Sequence, residues 1–168
     1  MSPEVLSTPA SLEQFSRLSR SGSLYAVLDA CKQPEVLQKC NRLGPRSVSL
    51  YRGSAEKDYA HIAPYLVVLD SELIEWIAER IWDRPWGIFV YCDSGHEALR
   101  THLRHFLTVR LPDRSEVFFR FYDPRVLRTF LDSSTPSELE TFFGPVRAYA
   151  VGETGGDNVT LFRPRRRG

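Results

Sequence analysis

Leu24-Tyr25-Ala26-Val27-Leu28-Asp29 is the stretch on which the fold turns. Its apolar residues follow one another without alternation, so an extended chain there shows no polar side to water. Such a strand is covered on both faces and sits inside its sheet. Tyr65 to Leu69 and Trp86 to Cys92 repeat the pattern, and Ser47 to Tyr51 and Val146 to Val151 read as further strands. Between them the apolar period changes to that of helices. Pro34 opens a helix with Val36, Cys40 and Leu43 on one stripe, ended by Gly44-Pro45. Asp70 or Ser71 caps a second, carrying Leu73, Ile74, Trp76, Ile77, Ile81 and Trp82, a stripe wide enough to predict a partly exposed tryptophan.

Asp93-Ser94-Gly95 turns into a helix with Leu99, Leu103, Phe106 and Leu107 at helical spacing. Thr108 to Leu111 and Glu116 to Tyr122 flank the turn-forming Pro112-Asp113-Arg114-Ser115 and predict a β-hairpin. Short helices at Pro124 to Leu131 and Pro136 to Phe143 follow, and upstream Ser11 caps one holding Leu12, Phe15 and Leu18. Strands and helices do not alternate strictly. The expectation is a mixed α+β fold, an α/β domain with one mixed β-sheet, helices packed on it and a β-hairpin. It spans residues 11–151, between a flexible N-terminus at 1–10 and a flexible basic tail at 152–168.

At 168 residues, with 42% hydrophobic content, the chain is the size of one domain with a real core. No apolar run reaches bilayer length and the first residues lack the regions of a signal peptide, which predicts a cytoplasmic protein. Cys31, Cys40 and Cys92 are an odd, scattered set, suited to reduced thiols. Net charge is +1, and Arg163, Arg165, Arg166 and Arg167 lie in the tail, so the rest of the chain sums to −3. That body is no nucleic-acid surface.

Catalytic patterns are incomplete. Cys92-Asp93-Ser94-Gly95-His96 lies at a strand-to-helix turn, where a Cys- or Ser-dependent hydrolase or transferase would place its nucleophile, but Cys92 stands where an elbow needs Gly and Ala98 where a phosphatase loop needs Arg. Ser94 or Asp93 as a helix cap explains the same residues. His102 and His105 are one helical turn apart and leave a metal site incomplete. Asp29 ends the central strand with no second acid set beside it by spacing, and no phosphate-binding glycine motif occurs. The expectation is a chain that is not an enzyme and takes no metal or cofactor.

Phe118-Phe119-Arg120-Phe121-Tyr122-Asp123-Pro124-Arg125 is different in kind. Alternation along a strand sends Val117, Phe119 and Phe121 one way and Phe118, Arg120 and Tyr122 the other. Arg120 is thus set between two rings and needs an acceptor if covered. Asp123 suits the cap of the helix opened by Pro124, with Arg120 or Arg125 in reach of its carboxylate. Residues of this kind are enriched at protein interfaces, and Trp76, Trp82, Arg120 and Arg125 are the partner-binding candidates.

Together with Trp86-Gly87-Ile88-Phe89-Val90, Leu103 to Asp113, Phe118 to Leu131 and Phe142-Phe143-Gly144-Pro145-Val146, the chain resembles the adaptor-chaperones of bacterial type VI secretion, the Tap or TEC proteins. The resemblance covers roughly residues 24–151 and assigns Trp86, Gly87, Asp123, Pro124, Gly144 and Pro145 to the shared structural motif. It implies a non-enzymatic adaptor that binds a toxic effector and helps load it onto the valine-glycine-repeat spike protein (VgrG). Many relatives carry a further C-terminal lobe, and this sequence matches a short form.

Overall fold

The computed structural model describes residues 4–20 and 23–165. Its centre is a seven-stranded sheet in which β2 (Ser23–Asp29) lies between β4 (Pro64–Val68) and β5 (Gly87–Cys92). Beyond β4 comes the short edge strand β3 (Ser47–Ser49), and beyond β5 come β8 (Val146–Gly152), β9 (Asn158–Pro164) and β1 (Val5–Ser11). The fold is mixed α+β, as its element pattern predicts. Every pairing in the sheet is antiparallel, where the sequence reading expected a mixed sheet. A crossover connection does not imply parallel strands when its helix returns the chain in the opposite sense.

Leu24 to Asp29 is buried on both faces, as a central strand must be. Leu24, Ala26 and Leu28 join a cluster closed by α1 (Leu12–Ser16), α2 (Pro34–Leu43) and α4 (Ser71–Arg80), through Phe15, Val36, Leu73 and Ile77. Tyr25 and Val27 join the opposite cluster, closed by α5 (His96–Arg104), α6 (Pro124–Ser133) and α7 (Pro136–Phe143), through Leu99, Leu103, Leu127 and Phe142. The sheet is therefore the middle of three layers. One helical turn, α3 (Ala55–Asp58), lies in the loop between β3 and β4.

Local chemistry sets the helix ends. Ser11 and Gln14 form a reciprocal capping box on α1, Asp70 caps α4 by accepting from the Leu73 amide at 2.8 Å, and Thr135 and Glu138 do for α7 what Ser11 and Gln14 do for α1. At α5 neither Asp93 nor Ser94 makes a capping bond. Gly95 precedes that helix at φ +90° instead.

Two expectations change at the ends of the chain. Val5–Ser11 is a strand paired over its whole length with Asn158–Pro164, where the sequence reading places a flexible N-terminus and a flexible basic tail. Val159, Leu161 and Phe162 are buried, and the Gly155-Gly156-Asp157 segment is the hairpin turn that returns β9 along β8. The apolar residues of β9 are few and lie behind that turn, so only pairing with β8 reveals them as core. Arg166 and Arg167 lie outside the described residues. The predicted hairpin is present as β6 (Thr108–Arg110) and β7 (Glu116–Phe118), shorter than expected because the chain leaves the strand at Phe119.

Candidate functional site

Asp29 closes β2 with its carboxylate buried at 4% exposure, and the chemistry of the site begins there. Its Oδ1 accepts the Cys31 amide at 2.9 Å and its Oδ2 accepts a bond from the Arg120 guanidinium. Gln33 Nε2 donates to the Asp29 carbonyl at 3.1 Å, fixing the turn that follows the strand. Burial pushes the Asp29 carboxyl above its ordinary value, opposed by the Cys31 amide and then by Arg120. The acceptor that Arg120 requires is thus a residue 91 positions away, while Asp123 serves Arg125.

Arg120 remains 43% exposed and lies over the Tyr122 ring at 5.8 Å. Tyr122 also meets the Tyr51 hydroxyl, and its own hydroxyl is pushed well up, first by burial and then by Tyr51 and Asp29. Phe118, Arg120 and Tyr122 line one pocket, of about 490 Å³, closed by Cys31, Tyr51, Ala55, Tyr59 and Ile62. The two-sided arrangement predicted by strand alternation holds even though the strand stops at Phe118. Phe119 and Phe121 turn the other way, onto Phe130 and Phe142.

Large exposed apolar side chains stand at this pocket and on the hairpin beside it. Phe118 is 72% exposed and Tyr59 52%. Val109 and Val117, opposite one another on the hairpin, and Leu111 beside them are exposed too. A two-stranded hairpin that buries none of its strand residues gains little from its own fold.

The four partner-binding candidates do not form one surface. Arg120 lines the pocket. Arg125, 77% exposed, is held by Asp123 through Nε at 3.1 Å and Nη2 at 2.8 Å, and borders a separate groove with Phe119, Val126, Thr129 and Phe130. Trp76 is half-buried on α4 with Lys39 Nζ 5.5 Å from its ring. Trp82 is a correction: it is buried, its indole N–H donates to the Glu153 carbonyl at 2.9 Å and its ring packs beside Trp86. The helix ends at Arg80, so Trp82 lies in the turn beyond it and points into the core rather than extending the helical stripe.

The shared-motif residues are architectural. Trp86 is buried against Phe89. Gly87 has φ +146°, and a Cβ there would stand 1.9 Å from the Val27 carbonyl oxygen. Asp123 caps α6 by accepting the Arg125 amide at 2.9 Å, with Pro124 at the first helical position. Gly144 ends α7 at φ +47°, pressed against the His102 ring, and the Pro145 carbonyl faces Cys92.

The turn weighed as a nucleophile site is laid out differently from one. Cys92 is fully buried, with Sγ 3.0 Å from Ser94 Oγ and 3.5 Å from the Pro145 carbonyl. His96 instead stacks on Tyr25 at 5.7 Å. His102 bonds the Phe142 carbonyl at 2.8 Å and is held below its ordinary pKa, chiefly by burial. Among the described residues no three His, Cys, Asp or Glu side chains gather as a metal site would require.

Comparison with known families adds one match. The model of a domain of unknown function, DUF4123, fits residues 24–141. The chain belongs to the DUF4123 family. Neither the curated proteins nor the solved structures give a match. The stretch matched to DUF4123 runs from β2 through α7 and holds every residue of the pocket, whereas β1, β8 and β9 lie outside it. Among the described residues of this DUF4123 protein no helix is long and apolar enough to cross a membrane.

The pocket residues Tyr59 and Ile62 escape a reading of the sequence because they sit in the loop between β3 and β4, and Tyr51, expected at the end of a strand, joins that loop because β3 stops at Ser49. Their only local signal is two tyrosines within a loop otherwise rich in polar residues.

Proposed function

We propose that this DUF4123 protein is a non-enzymatic cytoplasmic adaptor that binds a type VI secretion effector and helps load it onto the VgrG spike. The resemblance of its motifs to the Tap/TEC adaptor-chaperones supplies the partner class. The observation that carries protein binding is the exposed hairpin with Phe118 at its base, beside an apolar pocket whose floor is organised by Asp29 and Arg120. Buried polar partners hold the pocket in shape without a ligand, and large exposed rings beside it supply the anchors that concentrate binding energy in an interface.

Co-expression with the effector and spike encoded beside this gene, followed by co-purification, tests the reading. A stable complex that Phe118→Ala weakens by at least about tenfold is expected, with the variant melting like the parent because Phe118 is mostly exposed. Absence of any complex with effector or spike would sink the reading.

A further inference from the structure

His96, Arg100 and Arg104 recur every four residues on α5 and so lie in one row, about 12 Å long. The two ends of the row are located by contacts. His96 stacks on Tyr25 of β2, and Arg104 donates to the carbonyls of Ser49 at 2.9 Å, Leu50 at 3.1 Å and Tyr51 at 3.2 Å, where edge strand β3 ends. The row therefore runs beside the sheet surface of Tyr25, Val68 and Val48, of which Val48 and Val68 stay only half-buried.

Positive charge is in excess here. Burial, then Arg100 and Arg52, push the Arg104 pKa down, with Glu56 opposing them. Arg100 meets Glu97 only at 3.7 Å, and that glutamate is 88% exposed. His96 Nε2 and Arg100 Nε are buried with no hydrogen-bond partner among the described residues, while the Arg100 side chain keeps 32% exposure, so its terminal nitrogens are the ones an incoming acceptor reaches. Arg46, at the far end of the same strands, is already paired to Asp70 at 2.6 Å.

We infer that the flank of α5 formed by His96, Arg100 and Arg104, with Arg52, is a docking strip for an acidic, apolar-containing segment of a partner protein. Carboxylates of the segment meet the guanidiniums, and its apolar side chains cover Val48 and Val68. Continuity favours this occupant over a nucleic acid: Arg104 grips the carbonyl of Tyr51, whose ring lines the aromatic pocket. One segment can run from the strip into the pocket, whereas a phosphate backbone has no use for the apolar floor. The inference rests on the protein-binding reading and names the chemistry of the partner.

Fluorescence anisotropy on the full chain tests it, with three labelled probes: a peptide of about twelve residues alternating Glu with Leu or Val, the same peptide with Lys for Glu, and single-stranded DNA of similar length. The acidic peptide is expected to bind and to weaken by about tenfold as salt rises from about 50 to about 300 mM. Arg100→Glu is expected to weaken it by at least about tenfold and Arg100→Lys by much less. Should Arg100→Glu fail to fold by thermal melting, Arg52→Glu on the exposed loop replaces it. No binding of the acidic peptide, equal binding of the lysine peptide, preference for DNA, or indifference to the charge reversals would each overturn the inference. An effector complex that forms in high salt and ignores Arg100→Glu would overturn it while leaving the adaptor reading intact.

Discussion

Asp29 and Arg120 show how one pair of residues commits distant parts of the chain. A buried carboxylate whose partner is removed is left with its desolvation cost, so Arg120→Met is expected to lower stability in urea by about 1–3 kcal/mol, less than for a fully buried pair because Arg120 is partly exposed. Adding Asp29→Asn, which keeps an acceptor for the Cys31 amide, is expected to restore part of the loss. Asp123 answers to pH. Burial alone would push its carboxyl up, but the Arg125 guanidinium and amide outweigh it and hold the group below the ordinary 3.8. A lowered carboxyl contributes stability that is complete above the unfolded value and is lost as pH falls through the folded one. Asp123→Asn should therefore cost about 1 kcal/mol at neutral pH, with the gap to the parent closing below pH 3.8 in denaturation curves taken across the acid range.

Elements meet where side chains are absent as much as where they are present. β2 and β5 approach at Gly87 so closely that any Cβ collides with the Val27 carbonyl, a backbone atom that cannot step aside. Gly87→Ala is expected to cost about 3 kcal/mol or more and to give mostly insoluble protein. Gly144→Ala would meet the His102 ring at 2.5 Å, a longer contact and to a side chain rather than backbone, so thermal melts should rank it as the milder change. The hairpin of β6 and β7 is the opposite case, an element that buries none of its own strand residues and borders the pocket through Phe118. Its register follows from local sequence: Asp113 accepts the Ser115 amide at 2.9 Å and Arg114 takes φ +69° in the turn.

For the whole molecule, the ends of the chain close the sheet. β9 covers the edge of β8, brings Val159, Leu161 and Phe162 into the core, and is the strand on which β1 pairs. Truncation after Gly156 is expected to give aggregation or a Tm lower by at least about 10 °C, because it removes buried apolar surface and bares a long edge strand. Equal melting of the truncated and the full chain in calorimetry would show that the last strand is dispensable.

Local sequence determined the central strands, the helices with the caps at Ser11, Asp70 and Asp123, the hairpin and the two-sided character of Phe118 to Tyr122, because each depends on periodicity or capping within a few residues. The cap expected from Asp93 or Ser94 at α5 is not made. The mixed α+β class follows from those elements in order. Strand direction, the enrolment of Val5–Ser11 and Asn158–Pro164 in the sheet, and the burial of Trp82 belong to the tertiary structure alone. So does the site. Asp29 and Arg120 carry no mutual signal in the sequence, Tyr51 reads as the end of a strand, and Tyr59 and Ile62 look like ordinary loop residues until β2, β4 and the hairpin bring them together. A pocket is made by surfaces that meet in space, and the apolar pattern of each surface records only that it is covered, not by what.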